Sequence, residues 1–292
     1  MAKVRDNAIN VKDIKEYLAT QDDFALELFV YNQARTFGLN ATHGGTYEDP
    51  VTKKPRQYDV RAWIEDNNRR IDLAIECKSL QSSYPLLISR IRRIAEESYH
   101  QVVDSFEPPE EERDPYTGNY PYVPANAVPL RKVHSIYSER DFVGKSTSQI
   151  GRTERGDFVA GDAEVYEKWS QALSSADELI SRATYYFERS EKKEFLTAVL
   201  PILVVSDGTL WVADYSDEGT LESEPKQVDE ALLYVGREYS KPTGFSFYIS
   251  HLHILTKRCV SSFLKKVAEP PGMWNEIFPE DAITMARYGM TN

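Results

Sequence analysis

Residues 57–78, QYDVRAWIEDNNRRIDLAIECK, alternate in character so regularly that few arrangements other than a β-hairpin accommodate them. Asp66-Asn67-Asn68-Arg69 is a polar turn, and Asn67-Asn68 suits a two-residue loop because Asn tolerates the positive φ that such turns require. Closing the hairpin there makes residues whose numbers total 135 face each other. Tyr58, Val60, Ala62 and Ile64 then share a face with Ile71, Leu73, Ile75 and Cys77, all apolar or aromatic. The other face carries Asp59, Arg61, Trp63 and Glu65 against Arg70, Asp72, Ala74 and Glu76, with Lys78 at its end. The expectation is one face for the core and one for chemistry.

That register sets Asp59 opposite Glu76, and facing side chains of an antiparallel pair have Cβ atoms about 4.5–5.5 Å apart. Two carboxylates so close require a cation between them. Lys78, two residues beyond Glu76 on the same face, is one candidate. A divalent ion such as Mg²⁺, which takes hard oxygen ligands, is the other. The competing reading is a solvated charged face whose acids pair with arginines, as Glu65 and Arg70 are expected to do.

Charge and composition bound the function. The net charge of −11 argues against coating nucleic acid by bulk attraction, but the acids are unevenly spread. Residues 1–105 carry 15 Lys/Arg and 16 Asp/Glu, and residues 106–292 carry 20 and 30, so the acidic excess lies outside the hairpin module. No run of about 18 apolar residues and no basic-then-apolar leader is present, which predicts neither membrane insertion nor secretion. Two cysteines, Cys77 and Cys259, make no disulfide framework, and a reducing, cytoplasmic setting is expected.

In chain order, the pattern predicts a short helix over 11–19 and a second from Asp22 or Asp23 to about Phe37, stopped by Gly38. Glu27 interrupts the apolar run of that second helix. It either reaches the Asp59/Glu76 site or lies on the helix's exposed stripe. A short strand is expected within 40–47 and a loop over 48–55, where Lys53, Lys54 and Arg56 are candidate phosphate contacts. Pro85 is read as opening a helix with Leu87, Ile91, Ile94 and Ala95 on its buried side, continuing through Val102. Arg92 and Arg93 on it are further candidate phosphate contacts, and Tyr99 and Gln101 candidate substrate-orienting residues. Residues 106–161, with six prolines between Pro108 and Pro129 and the run Glu110-Glu111-Glu112, read as a long loop-rich insertion.

Asp162 is expected to cap an amphipathic helix to about Arg189, with Val165, Trp169, Leu173, Ala176, Ile180, Ala183 and Phe187 as its core stripe. A strand over 195–205, a turn at Asp207-Gly208 and a hairpin partner over 209–215 follow. Another strand over 244–255, a helix over 256–268, and a tail from Pro270 that is helical near 281–288 complete the chain. The whole is taken as one elaborated domain over 1–292, with a motif-bearing core at 23–105 and 162–268, an insertion at 106–161 and a tail at 269–292.

Asp59, followed after 16 residues by Glu76-Cys77-Lys78, with Glu27 on the preceding helix, resembles the PD-(D/E)XK, or restriction-endonuclease-like, nuclease superfamily. The resemblance covers about residues 23–105, with 195–215 completing the sheet. Tyr58 stands where the family pattern has proline. Glu-x-Lys triplets also occur at Glu191-Lys192-Lys193 and Glu224-Pro225-Lys226, so the apolar row before Glu76 and the facing Asp59 carry the case.

The resemblance implies an α/β fold with a restriction-endonuclease-like mixed β-sheet core flanked by helices. It implies a Mg²⁺-dependent nuclease, with Mn²⁺ as substitute, acting on DNA as an endonuclease, alone, as a homodimer or with a partner protein. Asp59, Glu76 and the Cys77 backbone carbonyl would hold the metal; Lys78 would position the attacking water; Glu27 would join the catalytic set. Two other readings stay open: a nucleic-acid-binding or protein-interaction module without cleavage, and a zinc site using His251 and His253, which share a strand face. The commoner outcome for such histidines is two half-exposed side chains.

Overall fold

The computed structural model describes residues 8–20, 22–189, 193–240 and 244–287. Helices α1 (Val11–Thr20) and α2 (Phe24–Thr36) lead into β1 (Asn40–His43), a small hairpin of β2 (Thr46–Glu48) and β3 (Pro55–Gln57), and the long hairpin of β4 (Val60–Asp66) and β5 (Arg69–Lys78). Then come β6 (Leu86–Arg92), β7 (Tyr99–Phe106), β8 (Ala125–Arg131), β9 (Phe142–Arg152), β10 (Phe158–Gly161) and α3 (Ala163–Ala183). The C-terminal part holds β11 (Glu194–Val205), β12 (Leu210–Asp214), β13 (Lys226–Gln227), β14 (Glu230–Ser240), β15 (Ser246–Thr256), α4 (Lys257–Ala268), α5 (Gly272–Ile277) and α6 (Glu280–Arg287).

The central hairpin has the expected register: Val60 pairs Ile75, Ala62 pairs Leu73 and Glu65 pairs Arg70. Asn67 takes the positive φ of 56° that the two-residue turn needs. At its start α2 has Asp23 in the N-cap position, and at its end Gly38, at φ +80°, donates to the Arg35 carbonyl.

The architecture is mixed α/β: a large sheet, part parallel and part antiparallel, flanked by helices. Its hydrogen-bonded order runs β1-β4-β5-β11-β15-β14-β9-β6-β12-β13. Strand β11 is parallel to both β5 and β15, and its first residues also pair with β7. On one face, Val60, Ala62, Ile71, Leu73, Ile75 and Cys77 lie under α2 (Leu26, Val30, Ala34) and α4 (Val260, Phe263, Leu264). On the other, Ala74 and Val199 lie under α3 through Leu173, Ala176 and Ile180. The sheet centre is therefore covered on both sides, as parallel strands require.

This corrects the division of the hairpin into a core face and an open chemical face. Arg61, Arg70, Asp72 and Glu76 are all buried, because α3 roofs the charged side. The strand still tolerates these charges where partners are supplied. Arg61 donates to Ser175 Oγ (3.0 Å) and pairs with Glu178 (2.5 Å), while Arg70 pairs with Asp72 (2.7 Å) and, as expected, Glu65 (2.5 Å). The alternation also ends sooner than anticipated. The chain bends at Asp59, so Tyr58 leaves the apolar row and its ring lies 4.2 Å from the Arg61 guanidinium.

Three further expectations are overturned. Residues 86–92 form a strand, with Leu86 and Ile88 fully buried and Ile94 half exposed; the period is two, not 3.6. The stretch 106–161 contributes β8, β9 and β10 to the sheet, and its irregular parts are confined to about 107–124, 132–141 and 153–157. Strand β12 pairs in parallel with β6 rather than in a hairpin with β11. The expected strand over 244–255, the helix after it and the helix near 281–288 form; α5, in a stretch read as irregular, and β14, which pairs along β15, were not anticipated. Tyr288, residues 191–192 and the side chain of Phe187 lie outside what is described. Among the described residues no helix is long and apolar enough to cross a membrane.

Candidate active site

Four chain segments converge at the C-terminal end of β5. Glu76 and Lys78 come from the strand itself, Asp59 from the bend before β4, Asp23 and Glu27 from the start of α2, and Glu164 and Lys168 from the first turns of α3. The carboxyl ends of parallel strands are where open α/β sheets build their sites, and two helix N-termini add positive potential there.

Asp59 is held by its own hairpin. Its Oδ2 accepts the Cys77 N–H at 2.8 Å, so the carboxylate binds the backbone just beyond the last β4–β5 pair. Glu76 is completely buried, and neither carboxylate oxygen has a hydrogen-bond partner among the described residues. Burial first, then the charge of Asp59, pushes its carboxyl well above the usual range, against the opposing pull of Lys168.

The cation beside the two acids is Lys168, not Lys78. Its Nζ lies 2.9 Å from Asp59 Oδ2, 3.8 Å from Glu76 Oε2 and 3.9 Å from Asp23 Oδ2. Burial disfavours this ammonium, but Asp59 and Glu76 more than offset that and hold it protonated. Lys78 points to the mouth instead, 3.5 Å from the exposed Glu164 and 3.7 Å from Asp23. Asp23 does not cap its own helix: its Oδ1 accepts the Ser79 N–H at 2.6 Å, tying the end of β5 to the start of α2.

Glu27 does not lie on an exposed stripe of α2 but is half-buried. Its Oε2 is 2.9 Å from His43 Nε2, and that ring lies near Phe24 and Tyr31. Burial, then the nearby charge of Asp59, raises its pKa, while His43 acts the other way. Cys77 sends its thiol into the core, so only its backbone is available to the site.

The donor set suits a hard divalent cation. Asp59 and Glu76 are two adjacent carboxylates, and the cation that approaches Glu76 is the Lys168 ammonium at 3.8 Å. Among the described residues no three His, Cys, Asp or Glu side chains form a ready-made metal cluster. A third protein ligand would have to be backbone, as at Cys77.

The candidate phosphate contacts disperse. Lys53 and Lys54 are exposed at the tip of the β2–β3 hairpin, and Arg56 of β3 is 3.6 Å from the exposed Glu167 of α3. Arg92 is exposed but lies on β6, five strands from β5 in sheet order, 3.7 Å from Glu222. Arg93 is corrected outright: it is buried, donating to Ser138 O (2.5 Å) and His251 Nε2 (3.1 Å), and meets no external phosphate. Tyr99 is likewise buried, and Gln101 accepts the Tyr248 N–H at 2.7 Å.

His251 and His253 are buried rather than half exposed. Tyr137 separates them, its ring 3.8 Å from that of His251 and its hydroxyl 3.0 Å from His253 Nε2. His251 Nε2 accepts from Arg93 and His253 Nε2 is engaged by Tyr137. No family model, no curated protein and no solved structure matches the chain.

Asp23, His43 and Lys168 escaped sequence reasoning. Asp23 read as a helix cap, and its missing capping bond is visible only in three dimensions. Lys168 sits 109 residues from Asp59 in sequence, an ordinary lysine on the polar side of an amphipathic helix.

Proposed function

We propose that the chain is a metal-dependent nuclease that hydrolyses phosphodiester bonds, with DNA as substrate and cleavage within the strand. Glu76 carries this reading. A carboxylate buried without a donor, beside a second carboxylate, costs stability in the folded protein. That cost is accounted for if the pair serves a cation. Asp59, Glu76 and the Cys77 carbonyl would hold it; when bound, it would draw in a phosphate oxygen and lower the pKa of a bound water.

The chain's own residues supply the rest. The Cys77 N–H fixes the orientation of Asp59. Asp23, by holding the Ser79 N–H, sets the direction in which Lys78 leaves the strand. Lys78 presents its ammonium at the mouth, where a phosphate oxygen can replace the solvent-exposed Glu164 carboxylate as its partner. It then orients the attacking water and offsets charge developing on the phosphate. Arg56, paired with Glu167 of α3, would meet a neighbouring backbone phosphate, with Lys53 and Lys54 beyond it.

The test is nicking of supercoiled plasmid in Mg²⁺ and Mn²⁺. Wild-type protein cleaves, and Asp59→Ala, Glu76→Ala and Lys78→Ala each lose at least about a thousandfold in rate with unchanged circular dichroism. Full cleavage by Asp59→Ala rejects the reading. A binding module without cleavage is the second reading, favoured by the Lys168 ammonium already lying across the acids. It predicts a gel shift with duplex DNA and no nicking at any metal concentration.

A further inference from the structure

We infer that Lys168 is a resident counter-cation, which holds Asp59 and Glu76 together in the metal-free protein and is exchanged for the divalent ion when that ion binds. This rests on the nuclease reading for the identity of the ion, but the exchange itself follows from placement. Three carboxylates, Asp59, Glu76 and Asp23, surround one ammonium within 4 Å, and they come from three different elements. No other ion pair reaches Asp59 or Glu76 among the described residues. An ion bridging Asp59 Oδ2 and Glu76 Oε2 competes for the oxygens that Lys168 holds, and like charges cannot share that space.

The route out is built into α3. Lys168 has four methylenes, keeps part of its side chain in solvent, and sits one helical turn after Glu164, whose carboxylate is exposed. An ammonium leaving Asp59 therefore meets an acid at i−4 on the same face. Metal affinity is set by this exchange. The protein without metal avoids the repulsion of two bare acids, and the metal must displace a protonated amine, which keeps binding reversible and weaker than the acids alone would give.

Calorimetric titration of Mn²⁺ into the full chain tests this with a readout independent of cleavage. Lys168→Met is expected to bind Mn²⁺ at least about tenfold more tightly than wild type, roughly 1.4 kcal/mol. Its melting temperature without metal should fall, and its rise on adding Mn²⁺ should be larger. Lys168→Arg should stay close to wild type. Equal or weaker Mn²⁺ binding by Lys168→Met overturns the exchange.

Should Lys168→Met not fold, Lys168→Gln serves in its place, and a Mn²⁺-soaked wild-type crystal decides without any variant. Metal between Asp59 and Glu76 with Nζ withdrawn supports exchange; Nζ still within hydrogen-bond distance of Asp59 Oδ2 overturns it. The two ideas fail separately. If wild type and variant both ignore Mn²⁺, exchange falls together with the metal-dependent reading. If Mn²⁺ binds but removing the lysine does not tighten it, only exchange falls. Tighter binding without plasmid cleavage leaves exchange standing and removes the nuclease.

Discussion

Glu76 occupies a position where almost any neutral side chain would cost less. Its burial and the adjacent Asp59 raise its pKa, so the folded protein keeps the proton at pH values where the unfolded chain has released it. Stability is therefore lost as pH rises from the ordinary glutamate value of 4.5 toward the raised folded value. Glu76→Gln removes that loss while leaving Lys168 its 2.9 Å contact with Asp59. We expect the metal-free variant to be more stable than wild type at pH 8 by about 1–2 kcal/mol, with no gain at pH 4. Urea denaturation at the two pH values measures this, and destabilisation at pH 8 would make Glu76 structural. At this scale the closeness of the two acids was legible, since a hairpin register follows from alternation and an asparagine turn. Their actual counter-ion was not.

Among the elements, α3 decides what the hairpin's charged face becomes. Arg61 is its anchor on β4, bonded to Ser175 Oγ, to the Ser175 carbonyl (3.3 Å) and to Glu178, with its guanidinium over the Tyr58 ring. Arg61→Met leaves Glu178 with Arg182 but loses the link between strand and helix. A loss of about 2–4 kcal/mol in unfolding free energy is expected, read from the denaturant midpoint at constant slope. An unchanged midpoint would mean that α3 is held by its apolar stripe alone. The stripe was readable, Val165, Leu173, Ala176 and Ile180 being buried as their spacing demanded. The partner it packs on was not, because periodicity reports that a face is covered and not by what. The same limit explains the false helix after Pro85, where Leu87 and Ile91 imitate helical spacing but Leu86 and Ile88 are the buried pair.

At the scale of the whole molecule, three buried histidines outside the site govern the response to acid. His100, His251 and His253 are buried, and burial lowers their pKa values from 6.5 to about 4, about 2 and about 4. Their folded forms stay neutral while the unfolded chain takes up protons, so stability is complete above pH 6.5 and falls as pH drops toward 4. Between pH 6.5 and 5 each contributes a loss of about 1–2 kcal/mol. Melting temperature should fall steadily across that window, and His253→Gln should make the fall shallower; a flat profile would show that other groups compensate. The sequence alone determined the hairpin and its register over 60–75, because turn chemistry and period-two alternation act over a few residues; that Asp59 leaves the ladder yet stays beside Glu76 came from the fold. Tertiary structure alone decided that both faces of the hairpin are covered, that 106–161 supplies strands, that His251 and His253 are buried, and that Lys168 stands between the acids. Those outcomes depend on which distant segments meet, and a contact between residues 109 apart leaves no trace in local pattern.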